Sequence, residues 1–160
     1  MSDPVFQPAP QQPLTPQPAY PLQQQYVQQP PTGRKSWALG FLAYIPAPLV
    51  GIVIAGIVMA AVYPSTKRRG IPLATENARI AANWGLTVLS VVVLLGLYVL
   101  TLAVGFPETK SAGFFPIGFA VLGYVVLAIA HAIVTIAGTV ISGTRVFRNP
   151  LAIPFLRPSA

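Results

Sequence analysis

The pattern of apolar and polar positions in residues 75–105 predicts a helix that crosses a membrane. No charged residue occurs from Ile80 to Val104, and as a helix this stretch would be roughly 37 Å long against about 30 Å of bilayer hydrocarbon. Thr75 is predicted to cap the helix, with Glu76 in its first turn. Polar residues recur at steps of three and four along one helix face. They are Glu76, Arg79, Asn83, Thr87 and Ser90. Such a stripe indicates packing against a partner rather than against lipid.

Residues 36–63 are apolar but contain Pro46 and Pro48 near their middle. Each proline removes a backbone donor and disfavours helix in the residue before it. We therefore expect a short helical hairpin, in which residues 36–45 enter the membrane, residues 46–48 turn and residues 49–63 return. A single kinked span is the alternative. The returning arm has small residues at a spacing that allows close helix contact. They are Gly51 with Ala55, and Gly56 with Ala60.

Residues 117–143 form the last apolar stretch and are predicted to be the second long transmembrane helix, with Pro116 at its start. This helix has a polar stripe of its own. It consists of His131, Thr135, Thr139 and Ser142. Residues 146–160 contain three prolines and are too short to span, so we expect them at the membrane interface.

The distribution of positive charge favours four membrane segments with both termini in the cytoplasm. With a hairpin, the basic residues divide as nine on one side and one, Lys110, on the other. With three spans the better orientation divides them seven to three. Basic residues accumulate on the cytoplasmic side of membrane proteins, so the nine-to-one division is preferred.

The N-terminal tail, residues 1–35, is predicted to be disordered. Its first 33 residues include 9 Pro and 9 Gln, a composition that cannot bury enough apolar surface to fold. The spacing of its prolines is compatible with docking to a soluble cytoplasmic partner. A solvated tether is the simpler interpretation.

Composition places the whole chain among membrane proteins, because 54% of its residues are hydrophobic and 8% are charged, against about 25% charged in soluble domains. The net charge of +7 does not indicate nucleic-acid binding, since the basic residues flank apolar segments. With no Cys, three acidic residues and one His, we expect neither an enzyme nor a cofactor or metal site.

Six polar positions are candidates for function: Glu76, Arg79, Asn83, Thr87, His131 and Thr135. His131 lies near the middle of a span, where an ionisable residue suggests a proton or ion relay with Asn83 or Glu76. The alternative is a neutral imidazole that bonds across helices. Glu76 and Arg79 are spaced for a local ion pair. With Asn83 they could contact a lipid headgroup or a substrate, or they could anchor the helix at the interface.

The order of these features resembles a known family, the domain of unknown function 4870. These bacterial membrane proteins are grouped with relatives of the Tic-twenty component of chloroplast protein import. The resemblance rests on ALGFLAYIPAPLVGIVIAG, on ENARIAANWGLT with its Asn83-Trp84 pair, and on GTRVFRNPLAIPFLR. It implies a four-helix architecture. It implies little about activity, because a fold does not determine a function.

Together these observations predict an all-α integral membrane protein of the bacterial inner membrane, with a Pro-broken hairpin, two long helices and cytoplasmic termini. Its expected role is structural, as a lipid-embedded component that associates with itself or with a larger complex while its tail recruits a soluble partner. A pore or transporter subunit, which would be protein-conducting by family analogy, is the alternative, because polar stripes occur on both long helices.

Overall fold

The computed structural model of the chain describes residues 31–45, 48–106 and 114–158. The predicted disordered tail lies outside the described residues up to position 30, as does the loop that contains Lys110. Within the described part, all regular structure is helical. Helix α1 is Arg34–Ala38, a 3₁₀ helix follows at Leu39–Tyr44, α2 is Pro48–Arg68, α3 is Pro72–Gly105 and α4 is Ile117–Ile141. The all-helical class is therefore confirmed.

Three of these helices are long and apolar enough to cross a membrane: Val50–Arg68, Pro72–Gly105 and Ile117–Ile141. The two long spans predicted from sequence are α3 and α4. The returning arm of the predicted hairpin is α2, which continues through Pro64 to Arg68 instead of ending at residue 63. Pro64 lacks a backbone donor, and the hydroxyls of Ser65 and Thr66 donate to the carbonyl of Val62 at 2.8 and 3.0 Å in this turn.

The predicted start of α3 is wrong. The helix begins at Pro72, and Ile71 occupies the N-cap position. Thr75 therefore lies inside the helix, where its N–H donates to the carbonyl of Ile71 at 2.9 Å, and Glu76 lies beyond the first turn. Proline suits the first helical position because its backbone torsion is already helical and the donor it lacks would be unpaired there.

The chain reverses direction between the 3₁₀ helix and α2. A Cβ built on Gly51 would lie 2.8 Å from the carbonyl oxygen of Ala43, whereas one continuous helix would separate these residues by about 12 Å. The predicted turn falls on Pro46, Ala47 and Pro48. Residues 46 and 47 lie outside the described residues, and Pro48 begins α2.

Helix α2 packs closely against α3 through small residues. A Cβ built on Gly56 would lie 2.8 Å from the carbonyl oxygen of Gly85, and a Cβ on Gly85 would lie equally close to that of Gly56. Ala55 is fully buried beside this contact. Two helices can approach so closely only where neither has a side chain in the way. The buried apolar core surrounds this crossing. It includes Trp37, Ile52, Met59, Ile80, Ala81, Trp84, Val88 and Val134.

The basic residues of the described chain gather at one end of the bundle, which we call the basic end. It contains the start of α1, the end of α2, the start of α3 and the residues after α4. Arg34 of α1 donates from Nε to the carbonyl of Thr139 in α4 at 3.1 Å. A Cβ on Gly33 would lie 2.6 Å from the Cβ of Asn77 in α3. These contacts place α1 against the half of α3 and α4 that is nearer the basic end. The contact of Gly56 with Gly85 places α2 against the same half of α3.

The other half of the α3–α4 pair has a largely apolar and uncovered surface. The buried residues of α3 run from Ala74 to Val88, whereas Leu94, Leu97, Leu100 and Val104 beyond them are more than half exposed. Exposed apolar surface on helices of this length is typical of segments that face lipid.

Candidate functional site: the polar face of α3 and the buried histidine

The polar stripe on α3 binds the C-terminal segment, residues 146–160, of which residues 146–158 are described and form neither helix nor strand. Asn83 makes a reciprocal pair of hydrogen bonds with Leu156. Its Nδ2 donates to the Leu156 carbonyl at 3.2 Å, and its Oδ1 accepts from the Leu156 N–H at 2.7 Å. One turn further, the hydroxyl of Thr87 accepts from the N–H of Ile153 at 2.9 Å. Two residues of the stripe thus hold the segment along α3.

The ion pair expected between Glu76 and Arg79 is present and also bonds to the segment. Arg79 donates from Nε to Oε2 of Glu76 at 2.9 Å and from Nη1 to the carbonyl of Leu156 at 2.7 Å. Its side chain is 12% exposed. The carboxylate orients the guanidinium, and the guanidinium contacts the backbone, so this pair does more than anchor the helix end. Ser90, the last residue of the stripe, donates to the carbonyl of Leu86 in its own helix.

Asn77 is the most connected polar residue of this region, and sequence analysis missed it. It is fully buried. Its Nδ2 donates to the carbonyls of Thr32 and Arg145 at 2.8 and 3.2 Å, and its Oδ1 accepts from the N–H of Phe147 at 2.9 Å. One amide therefore ties the start of α1, the end of α4 and the C-terminal segment to α3. The sequence offered one signal for Asn77. It lies seven residues, or about two helical turns, before Trp84 and therefore on a face of α3 that is otherwise apolar.

His131 is fully buried in α4 and both of its ring nitrogens are bonded. The indole N–H of Trp84 lies 3.1 Å from Nδ1, and the carbonyl oxygen of Gly40 lies 3.0 Å from Nε2. Because an indole can only donate and a carbonyl can only accept, the imidazole is neutral with its proton on Nε2. The two rings lie nearly parallel, with 6.2 Å between centroids and 13° between planes, as the in-plane N–H to Nδ1 bond requires. His131 thus joins α4 to α3 and to the 3₁₀ helix.

Thr135 follows His131 by one turn and is also fully buried. Its hydroxyl has no hydrogen-bond partner among the described residues, and a Cβ on Gly40 would lie 2.6 Å from it. The six candidate residues therefore fall into two groups. Arg79, Asn83 and Thr87 bind the C-terminal segment and Glu76 pairs with Arg79, whereas His131 and Thr135 face the 3₁₀ helix. The bonds of His131 go to Trp84 and Gly40 rather than to Glu76 or Asn83, the partners considered for a relay.

This arrangement defines the class of protein as a small multi-pass membrane protein whose polar side chains join its helices to irregular backbone. The family comparison is specific. Residues 34–156 match the MamF/MmsF model, described as the magnetosome magnetite crystal formation protein family, so the chain belongs to this family. The resemblance to the domain of unknown function 4870 and to Tic-twenty relatives was wrong, because this match covers nearly the same residues. No curated protein and no solved structure matches the chain.

Proposed function

We propose that this chain is a structural and interaction component of a membrane complex that acts in magnetite crystal formation. Family membership supports the setting. The main support for the structural role is that the polar stripe on α3 forms hydrogen bonds within the chain. Asn83 and Thr87 bond to the backbone of the C-terminal segment, and His131 bonds two other elements. These groups maintain the fold, so the proposal assigns no catalytic role to them.

The pore or transporter hypothesis loses its motivation for the same reason. It rested on polar stripes that could line a path through the membrane. Three residues of the α3 stripe instead face residues 153–156 of the same chain. The complex is proposed to form through self-association or through other membrane proteins, with lipid in contact with the uncovered half of α3 and α4.

The proposed topology is a re-entrant hairpin followed by two full spans, with both termini in the cytoplasm. The support is the contact of Gly51 with Ala43 together with the collection of basic residues at one end. Because the chain has no native Cys, single cysteines can be placed at Thr32, Ser65 and Ser111 and labelled from outside intact cells. Labelling at Ser111 alone is expected. Labelling at Thr32 as well would contradict the hairpin.

The N-terminal tail up to residue 30 is proposed to be a disordered tether that can recruit a soluble partner. The test compares proteins that copurify from membranes with the full chain and with a chain that lacks residues 1–30, which keeps Thr32 and its bond to Asn77. Loss of a soluble partner alone, with an unchanged set of membrane proteins, is the expected result. An identical set of soluble and membrane proteins from both chains would contradict recruitment by the tail.

The proposed role itself is tested in a magnetite-forming bacterium that carries this gene. Deletion is expected to change the size or shape of the crystals in electron micrographs, and the full chain should restore them. Replacing His131 by Gln, which retains one donor and one acceptor, should also restore them if the residue is structural. Normal crystals in the deletion strain would contradict a role in crystal formation. Failure of His131→Gln despite normal protein levels would point to chemistry at the imidazole.

A further inference from the structure

An open cavity of about 330 Å³ lies at the basic end, between α3 and the C-terminal segment. Its polar lining comes from Glu76, Arg79 and Asn83 on one side and from Arg148 and Asn149 on the other. The bonds of Asn83 and Arg79 to Leu156 hold the two sides together. The cavity therefore belongs to the folded structure and is not a gap between unconnected elements.

The charges around the cavity leave a net positive charge. Two guanidiniums, Arg79 and Arg148, and one carboxylate, Glu76, line it, which gives +1. Arg79 uses three N–H groups in its bonds to Glu76 and Leu156, and a guanidinium has five. Arg148 is exposed, and no hydrogen bond or ion pair with another described residue engages it. Donors therefore remain available on both cations.

Asn149 supplies a second and independent observation. Its Oδ1 accepts from the N–H of Leu151 at 3.1 Å, which fixes the orientation of the amide. Its Nδ2 is buried and has no partner among the described residues. A buried donor without an acceptor is costly, and Asn149 is also one of the residues that line the cavity.

We infer that this cavity binds a phosphate group, in the form of an anionic lipid headgroup or of free phosphate. Phosphate presents several acceptor oxygens, and guanidinium groups match its geometry with paired N–H donors. Arg148 supplies such a pair, and Arg79 adds the N–H groups that its bonds to Glu76 and Leu156 leave unused. The cavity lies where α3 and the end of α4 meet the basic end, and basic pockets at this level of membrane helices bind lipid headgroups.

Two substitutions test the site, and a third is a matched control. Arg148→Gln removes the free cation. Asn149→Asp keeps the acceptor for Leu151 but replaces the unpaired donor by a carboxylate. Arg157→Gln changes the net charge by the same amount as each of these, and Arg157 is exposed and does not line the cavity. Unchanged melting temperatures in detergent establish that the variants fold.

Binding to the purified full chain is measured by native mass spectrometry with two probes, dihexanoyl phosphatidylglycerol and inorganic phosphate. We expect the lipid to bind about tenfold more weakly to Arg148→Gln and to Asn149→Asp, as for loss of one hydrogen bond to a charged group, and equally to Arg157→Gln. Phosphate that binds with the same pattern identifies free phosphate as a ligand, and binding of the lipid alone identifies the headgroup. Absence of binding by both probes, or equal weakening in all three variants, would overturn the inference.

Discussion

Replacing Asn77 by Leu tests whether one buried amide holds the basic end together. Leucine has the same branching at Cγ and is larger than asparagine, so the change removes hydrogen bonds without leaving a cavity. The carbonyls of Thr32 and Arg145 and the N–H of Phe147 lose their partner. At about 1 kcal/mol for each net hydrogen bond, the expected loss of stability is about 3 kcal/mol. This corresponds to a fall of roughly 10 °C in the midpoint of thermal unfolding for a chain of this size.

The assay combines thermal unfolding in detergent with limited trypsin digestion of the C-terminal segment. Cleavage after Arg145 and Arg148 should accelerate in Asn77→Leu, because Phe147 between them is no longer held. Thr101→Val is the control, since the Thr101 hydroxyl is exposed and bonds to Leu97 of its own helix. We expect the control to stay within about 0.5 kcal/mol of the wild type. If Asn77→Leu melts and is cleaved like Thr101→Val, the proposed role of the amide is refuted.

Two further predictions concern the helix contacts. His131→Phe leaves the N–H of Trp84 and the carbonyl of Gly40 unpaired and should cost about 2–4 kcal/mol in the same melting assay. His131→Gln should cost less, and equal losses would argue against these two bonds. Gly85→Ala places a Cβ 2.8 Å from a backbone carbonyl of α2 and should destabilise by about 1–3 kcal/mol. Gly96→Ala meets open space and should stabilise by up to about 1 kcal/mol through helix propensity. A similar shift in both glycine variants would contradict the close approach of α2 and α3.

The helices could be predicted from sequence because a bilayer imposes length and apolar composition on each span. The same constraint explains part of why the family resemblance was wrong, although that resemblance rested also on the Asn83-Trp84 pair and on the segment GTRVFRNPLAIPFLR. Apolar runs of this kind occur in every family of small helical membrane proteins, so their order says little about which family is present. The match to the MamF/MmsF family extends over residues 34–156.

The partners of the polar stripe could not be predicted, because they are backbone groups of an irregular segment. Asn83 and Leu156 are 73 positions apart, and no periodicity marks where a segment without helix or strand will lie. Asn77 was missed for a related reason. It lies beside Glu76 in sequence but on the adjacent, buried face of α3, so a search along one stripe of polar residues passes it.

The polar stripe on α3 and the irregular C-terminal segment are hydrogen-bond partners, so the presence of each accounts for the other. Backbone N–H and C=O groups that lie against apolar helices must find partners, because lipid offers none. A helix has already used its own backbone groups, so side chains must supply these bonds. Asn83 satisfies both backbone groups of Leu156, and Thr87 satisfies the N–H of Ile153. Polar residues on a membrane helix therefore do not by themselves indicate a conducting path. In this chain they allow a non-helical segment to pack on α3, and that packing forms one wall of the cavity at the basic end.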